Sequence, residues 1–351
     1  MRAFAFLGIF SMHAGLWDMG AWGVSVFFML SGFLMMKGYY DREGFEISSV
    51  KECALFSVRK IKSLYPLHII TMLLAAAYMI FDKVVNNALE KSYIMHIAKT
   101  MVLCIPLLQT WIPKMYVAFA LNGPSWYLSV SLFLYAAFPL LLRVLRKKLN
   151  MKNAGILMLS IFAIQLLAGY IIGRLNMPEG PTNEWSKWFT YIFPVYRLGD
   201  FAIGCIAGYI FINRKKEVSP IAATIKELFA IAAAAFSIIA YQKLGGGNYE
   251  WFRYTELYLP SSLLLVYVFA VNGGYITRLL TNRVLIWIGD MSPYAFLIHQ
   301  IVICWFNYIL RSIFGDVSIL ILAGANLGIT LALSWLVSKI KNNRHKKPVR
   351  A

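Results

Sequence analysis

Long apolar runs separated by short clusters of charged residues dominate the chain. A membrane-spanning helix needs ~20 predominantly apolar residues, and ten runs approach that length. The predicted spans are 3–17, 21–39, 64–82, 124–145, 154–173, 189–212, 221–242, 257–272, 284–309 and 316–338. A further stretch, about 94–119, is interrupted by Pro106 and Pro113, so its pattern fits a crossing or a re-entrant element. The pattern predicts an all-α, polytopic membrane protein.

Composition supports the membrane class and narrows the list of partners. The chain is 60% hydrophobic and 14% charged, with mean hydropathy +0.63, whereas soluble domains are about 25% charged. The net charge of +18 does not indicate nucleic acid, because the basic residues fall in short gaps between apolar runs. The four cysteines are scattered singly without metal-ligand spacing, so no metal site is predicted.

The distribution of Lys and Arg predicts the orientation. With a cytoplasmic N-terminus and a stretch 94–119 that does not cross, 24 of the 34 Lys and Arg residues lie inside. A crossing at 94–119 would place the basic runs 143–148 and 214–216 outside, against the positive-inside rule. We therefore predict about ten spans in a single domain, 1–351, with both termini cytoplasmic. The C-terminal tail, about 339–351, is basic and cytoplasmic in this prediction.

The first apolar run carries Arg2 at its start and His13 eleven positions later. In a helix these side chains lie ~16 Å apart along the axis. Ionisable groups inside a membrane are costly and therefore suggest function. A histidine of near-neutral pKa is suited to removing a proton from a hydroxyl group. A purely structural hydrogen bond of His13 to a neighbouring helix is the alternative, and the residues alone do not decide between the two.

A second polar pair lies in the run 189–212. Arg197 and Asp200 are three residues apart, so they share a helix face and can form an ion pair. Asp200 also lies at about the predicted depth of His13, where a carboxylate could orient the imidazole and stabilise the imidazolium. A structural Arg–Asp pair and a catalytic Asp200 both fit this pattern.

Three weaker signals complete the candidates. Arg59, Lys60 and Lys62 precede a predicted helix, where they could contact anionic lipid head groups or the phosphates of a donor. Trp126 lies at a predicted outer helix start, where it could anchor the helix in the interface or support a sugar ring. His299 lies within a predicted span, either as a site residue or in a core hydrogen bond.

Taken in this order, the stretches resemble the acyltransferase-3 family of membrane acyltransferases, which includes many bacterial surface-sugar O-acetyltransferases. The resemblance rests on five features: Arg2 and His13 with ten residues between them, Gly-Val-Ser-Val-Phe-Phe-Met-Leu-Ser-Gly-Phe-Leu at 23–34, the basic run into Pro66, Tyr-Arg-Leu-Gly-Asp-Phe at 196–201, and Gly-Asp-Met-Ser…Leu-Ile-His at 289–299. Each feature is weak alone, but their joint order is specific and covers nearly the whole chain.

The resemblance implies transfer of an acyl group, usually acetyl, from acetyl-CoA on the cytoplasmic side to a sugar hydroxyl at the outer face of a bacterial plasma membrane. Acyl-CoA would be a co-substrate with no other cofactor, and the partners would be the bilayer and a surface or lipid-linked glycan. His13 would be the catalytic histidine with Arg2 as its motif partner, and Arg59 and Lys62 would match donor-side residues. The residues predicted to support the acceptor or the structure are Ser31, Trp126, Ser131, Arg197 and His299.

One position departs from the family pattern. Family members often carry a glutamate where this chain has Ser131. A supporting carboxylate would then have to come from elsewhere, and Asp200 is the predicted substitute. The departure also keeps a second function open, in which a flippase or exporter of a lipid-linked glycan uses the same scaffold without acyl transfer.

Overall fold

The computed structural model describes residues 1–47, 49–175, 184–214, 218–244, 249–271 and 273–345. It is all-helical, with 82% helix and no strands in this described part, which confirms the predicted all-α class. The last residues of the predicted basic tail, 346–351, lie outside the described residues.

Sixteen α-helices follow one another along the described chain. They are α1 (Arg2–His13), α2 (Gly20–Tyr39), α3 (Val50–Ile61), α4 (Tyr65–Val85), α5 (Lys91–Cys104), α6 (Met115–Ala118), α7 (Trp126–Lys148), α8 (Ala154–Leu175), α9 (Glu184–Lys187), α10 (Pro194–Asn213), α11 (Pro220–Leu244), α12 (Glu250–Arg253), α13 (Leu259–Val271), α14 (Tyr275–Leu280), α15 (Arg283–Phe314) and α16 (Ile319–His345). Short 3₁₀ turns lie at Gln109–Trp111 and Gly123–Ser125, and a π turn at Trp188–Ile192 leads into α10.

Eight helical segments in the described part are long and apolar enough to cross a membrane. They are Gly20–Tyr39, Tyr65–Val85, Gly123–Lys148, Ala154–Leu175, Glu184–Asn213, Pro220–Leu244, Arg283–Phe314 and Ile319–Asn343. Each overlaps one of the ten predicted spans.

The other two predicted spans, 3–17 and 257–272, form shorter helices. They correspond to α1, with 12 residues, and α13, with 13 residues. At 1.5 Å per residue these helices are only ~18–20 Å long, less than the ~30 Å hydrocarbon core of a bilayer. The helix α1 stops early because Gly15 follows it with a φ of 72°. The count of ten crossings therefore stays a prediction.

The stretch 94–119 does not form one continuous helix. The 14-residue α5 ends at Cys104, and only a 3₁₀ turn and the four-residue α6 follow before the stretch ends. The chain turns after Pro106, where Leu107 adopts a φ of 61°. This broken course is typical of a re-entrant element, and the non-crossing assignment stays a prediction.

The helix α2 forms the centre of the bundle through close backbone contact with α10. A Cβ atom added at Gly32 would overlap the carbonyl of Phe201, and one added at Gly204 would overlap the carbonyl of Met29. Small residues allow membrane helices to approach this closely, so that packing forces and weak contacts hold them together. The same α2 also packs against α1 and α13, and it therefore fixes the helix that carries His13.

Basic side chains gather at one end of the bundle, which we call the basic end and define by Arg2, Lys60, Arg146 and Lys341. Arg2, Lys60 and Lys341 line one cavity there. Arg146 donates to the carbonyl of Tyr39 at 2.7 Å, and the Lys60 Nζ lies 4.5 Å from the centre of the same tyrosine ring. The positive charge is thus a spatial cluster built from helices far apart in sequence.

Replacing Arg146 tests one contact that holds this end together. The Arg146 guanidinium donates to the carbonyls of Tyr39 and Tyr40 at the end of α2 and to that of Phe45 in the loop that follows. The last carbonyls of a helix have no partner within that helix. Because hydrogen bonds from a charged donor are stronger than neutral ones, we expect Arg146→Ala to cost about 1–3 kcal/mol. In thermal unfolding of the detergent-solubilised protein, Arg146→Ala should have a lower Tm than Arg143→Ala. Arg143 is an exposed residue on the same helix and serves as the control. Equal Tm values for the two variants would contradict this assignment.

Candidate active site

Two cavities enter the bundle from opposite ends, and they differ in chemistry. The first, the histidine cavity, has a volume of about 540 Å³ and includes His13 and Asp18 in its lining. The second, the basic cavity, has a volume of about 350 Å³ and includes Arg2 and Lys60. The two ends of α1 therefore open on different cavities, with the first helix running between them.

His13 is the last residue of α1 and is only partly buried. Its ring centre lies 4.9 Å from that of His299, in an edge-on arrangement. His299 is fully buried midway along α15, and its Nδ1 lies 3.1 Å from the Ala295 carbonyl. If Nδ1 carries the proton and donates to that carbonyl, Nε2 is left as an acceptor, and it has no hydrogen-bond partner among the described residues. The structure thus brings together two of the histidines singled out from the sequence.

The remaining wall of the histidine cavity is aromatic and polar. Trp126 lines this cavity and packs against Tyr191, with ring centres 5.0 Å apart. The Lys187 Nζ lies 4.5 Å from the ring centre of Tyr254. Tyrosine and tryptophan faces in such a wall can stack on a sugar ring while charged groups contact its hydroxyls.

A carboxylate that the sequence pattern did not single out as a site residue lies in this cavity. Asp18 lines it together with His13, and the hydroxyl of Tyr241 donates to the Asp18 carboxylate at 2.9 Å. Its contact with Tyr241 joins residues more than 200 positions apart in α11 and the loop after α1, so no local motif indicates it. Asp18 can stabilise positive charge on the imidazole of His13.

The basic cavity contains Ser31 and Ser131, both predicted supporting residues. The Ser31 hydroxyl lies 3.3 Å from that of Tyr127, and Tyr127 lines the same cavity. Ser131, the position of the family departure, therefore lies with the basic cavity and not in the lining of the histidine cavity.

The predicted donor residues do not all reach the basic cavity. Lys60 lines it, whereas Arg59 and Lys62 are exposed side chains outside its lining. Two further groups that were not among the predicted site residues line the cavity, Lys341 from α16 and Asp290 from α15. Asp290 belongs to the Gly-Asp-Met-Ser feature that starts at 289, whereas none of the five features includes Lys341.

An aromatic wall separates the two cavities. Phe296 lines both of them. Its ring centre lies 5.2 Å from that of Tyr127 and 6.0 Å from that of Phe27. Phe296 thus forms part of the boundary between the two cavities.

Asp200 is engaged with other partners. Its carboxylate lies 2.7 Å from the Arg197 guanidinium and accepts from the Gln165 side chain at 2.9 Å, and both ion-pair partners are fully buried. Arg197 also stacks on Phe28, 4.7 Å from the ring centre, and donates to Thr255. Asp200 lines neither cavity. These contacts favour the structural alternative for the pair, and the orienting role of Asp200 stays a prediction.

Comparison with known proteins identifies the family. The family model described as an acyltransferase domain matches residues 1–339. The chain belongs to the acyltransferase-3 family. The curated protein "Acyltransferase MdmB" from Streptomyces mycarofaciens is 27% identical over 230 residues, which cover 60% of this chain and 56% of that relative. The chain thus spans just over half the length of the relative that it matches. No solved structure matches the chain.

Family membership confirms the resemblance drawn from the five sequence features. It does not assign roles to individual residues, so His13, Asp200, Arg2 and the donor residues are placed by geometry alone. In that geometry His13 and Arg2, which the resemblance pairs in one motif, line separate cavities.

Replacing Asp200 by asparagine tests whether the ion pair is structural. The variant leaves the Arg197 charge fully buried without its counter-charge, which costs about 3–5 kcal/mol for a buried pair. We expect Asp200→Asn to lower the Tm of the purified protein strongly. The double variant Arg197→Met with Asp200→Asn should regain part of the loss, because no charge is then left unpaired. A stable Asp200→Asn protein that has lost all activity would instead support the catalytic role.

Proposed function

We propose that the protein is a membrane O-acyltransferase that moves an acyl group, acetyl in the simplest case, from acyl-CoA on the cytoplasmic side to a hydroxyl of a cell-surface or lipid-linked sugar. The observation that carries the proposal is the position of His13 within an acyltransferase-3 domain. The histidine lines an aromatic cavity, and an aromatic wall separates that cavity from a basic cavity at the opposite end of the bundle.

The proposed orientation puts the basic end in the cytoplasm of a bacterial cell. The positive-inside rule supports it, because Arg2, Lys60, Arg146 and Lys341 are clustered at that end. In this orientation both termini are cytoplasmic. The short helices α1 and α13 complete ten crossings, with local thinning of the bilayer or tilt accommodating their length.

The basic cavity is the proposed entry for acyl-CoA. The phosphates and the thioester of acyl-CoA lie at opposite ends of the pantetheine arm. A site for this donor therefore needs basic residues at its entrance, distant from the reacting centre. Arg2 and His13 provide this arrangement, since they lie ~16 Å apart along α1. In this proposal Arg2 binds the donor and does not contact His13. The thioester reaches the histidine cavity when Phe296 and its aromatic neighbours move aside.

The proposed reaction is a direct transfer. The His13 imidazole takes the proton of an acceptor hydroxyl while the hydroxyl oxygen attacks the thioester carbonyl carbon. The carbon–sulfur bond then breaks, and the imidazolium returns the proton to the departing sulfur, which gives free CoA and the acyl ester. Asp18 stabilises the imidazolium from the same cavity, and His299 holds the edge of the imidazole ring in place.

The histidine cavity is the proposed acceptor site. Trp126 and Tyr191 form an aromatic face, and Lys187 and Asp18 offer charged groups to hydroxyls of a sugar. The cavity volume of about 540 Å³ falls in the range of small-molecule sites.

Replacing His13 by alanine tests the proposed base. We expect the rate of acyl transfer to fall about a hundredfold to ten-thousandfold, the usual contribution of a general base. The measurement is transfer of label from acetyl-CoA to glycan by purified protein, together with thiol release. His96→Ala is the matched control, because His96 is exposed and lines neither cavity, and it should keep the normal rate.

The same assay distinguishes the alternative function. A correctly inserted His13→Ala protein that acylates at the normal rate would exclude His13 as the base. Wild-type protein that moves a lipid-linked glycan across vesicles but releases no thiol from any acyl donor would favour the flippase.

Cysteine labelling tests the orientation. Lys114 precedes α6 near Phe119 and Leu121, which line the histidine cavity, whereas Arg283 starts α15 near the basic end. Both positions are exposed. On intact cells an impermeant maleimide should label Lys114→Cys, and it should label Arg283→Cys only after lysis. Unsubstituted protein measures the background from the four native cysteines, of which three are buried. The reverse labelling pattern would contradict the proposed orientation and place the basic end outside the cell.

A further inference from the structure

The basic cavity contains a lysine from the far end of the chain. Lys341 lies near the end of α16, and its Nζ lies 3.3 Å from the Tyr294 hydroxyl and 5.6 Å from the ring centre. This contact holds the lysine at the cavity, where it joins Arg2 and Lys60. The neighbouring basic residue Lys339 stacks on Trp335 at 5.0 Å and does not line the cavity.

The charge balance of this cavity is positive. It contains three cations, Arg2, Lys60 and Lys341, and one carboxylate, Asp290. Within the described residues none of the three cations forms an ion pair, since the two ion pairs found there are Arg197–Asp200 and Arg253–Glu250. Three unpaired cations from α1, α3 and α16 converging on one cavity form a site for a multiply charged anion.

We propose that Lys341, together with Arg2 and Lys60, binds the phosphate groups at the nucleotide end of the acyl-CoA donor, so that α16 forms one wall of the donor site. This inference rests on the proposed function and adds to it a donor-binding residue outside every motif of the sequence. Lysine binds phosphate as a point charge, and the Tyr294 contact limits the number of positions that the flexible side chain adopts.

Anionic lipid head groups share the phosphate chemistry of the donor. The position of Lys341 favours the soluble donor. The lysine faces a cavity that also contains the buried Ser131 and ends at Phe296, well inside the helix bundle. Lysines that only contact lipid head groups need no such cavity, and Lys339, packed on Trp335, is the one suited to that role.

The test measures CoA binding to protein in neutral phosphatidylcholine nanodiscs by calorimetry. We expect Lys341→Gln to raise the Kd for CoA about tenfold, the effect of losing one charge-assisted phosphate contact. Lys339→Gln should bind CoA like the unsubstituted protein. Pantetheine, which lacks the phosphates, should bind all three proteins equally. A Kd for CoA that is unchanged in Lys341→Gln would overturn the inference.

A lipid measurement and an activity measurement separate the remaining outcomes. A variant Lys341→Gln that loses affinity for phosphatidylglycerol in mixed nanodiscs, yet binds CoA normally, would assign the lysine to the membrane and overturn the inference. In the acyl-transfer assay we expect Lys341→Gln to raise the KM for acetyl-CoA about tenfold with little change in kcat. If the unsubstituted protein binds CoA but transfers no acyl group, the proposed function fails while the phosphate site stands.

Discussion

The backbone contact between α2 and α10 is the constraint on which the rest of the structure depends. Gly32 and Gly204 each face a carbonyl of the other helix, where a Cβ atom has no room. Helices in lipid gain no hydrophobic energy by associating, so close packing of this kind has to hold them. From this central pair α2 positions α1, and α10 carries the buried Arg197–Asp200 pair. The helix α2 also lines both cavities, with Ala21 and Val24 in the histidine cavity and Ser31 in the basic cavity.

This arrangement gives the two ends of the short α1 different environments. Arg2 opens on a cavity with a positive charge balance, and His13 opens on one with aromatic faces. Along α1, from Arg2 to His13, the two cavities are separated by only ~16 Å.

The sequence predicted the fold class and the long helices well, because apolar length alone defines them. It also singled out His13, Trp126 and His299 as candidates; His13 and Trp126 line one cavity, and the ring of His299 packs against that of His13. It did not predict which polar group faces which. Depth along a helix follows from counting residues, but the direction in which a side chain points depends on packing. Asp200 lies at a depth comparable to His13 by that count, yet it points to Arg197 and Gln165.

The aromatic wall at Phe296 bears on the choice between transfer and transport. A flippase needs a continuous path wide enough for a glycan, and the cluster of Phe296, Tyr127 and Phe27 closes the route between the two cavities. A transferase needs only a path for a thin acyl-pantetheine chain, because the acceptor never crosses. The separated cavities therefore fit an enzyme whose two substrates approach from opposite sides and meet at one histidine.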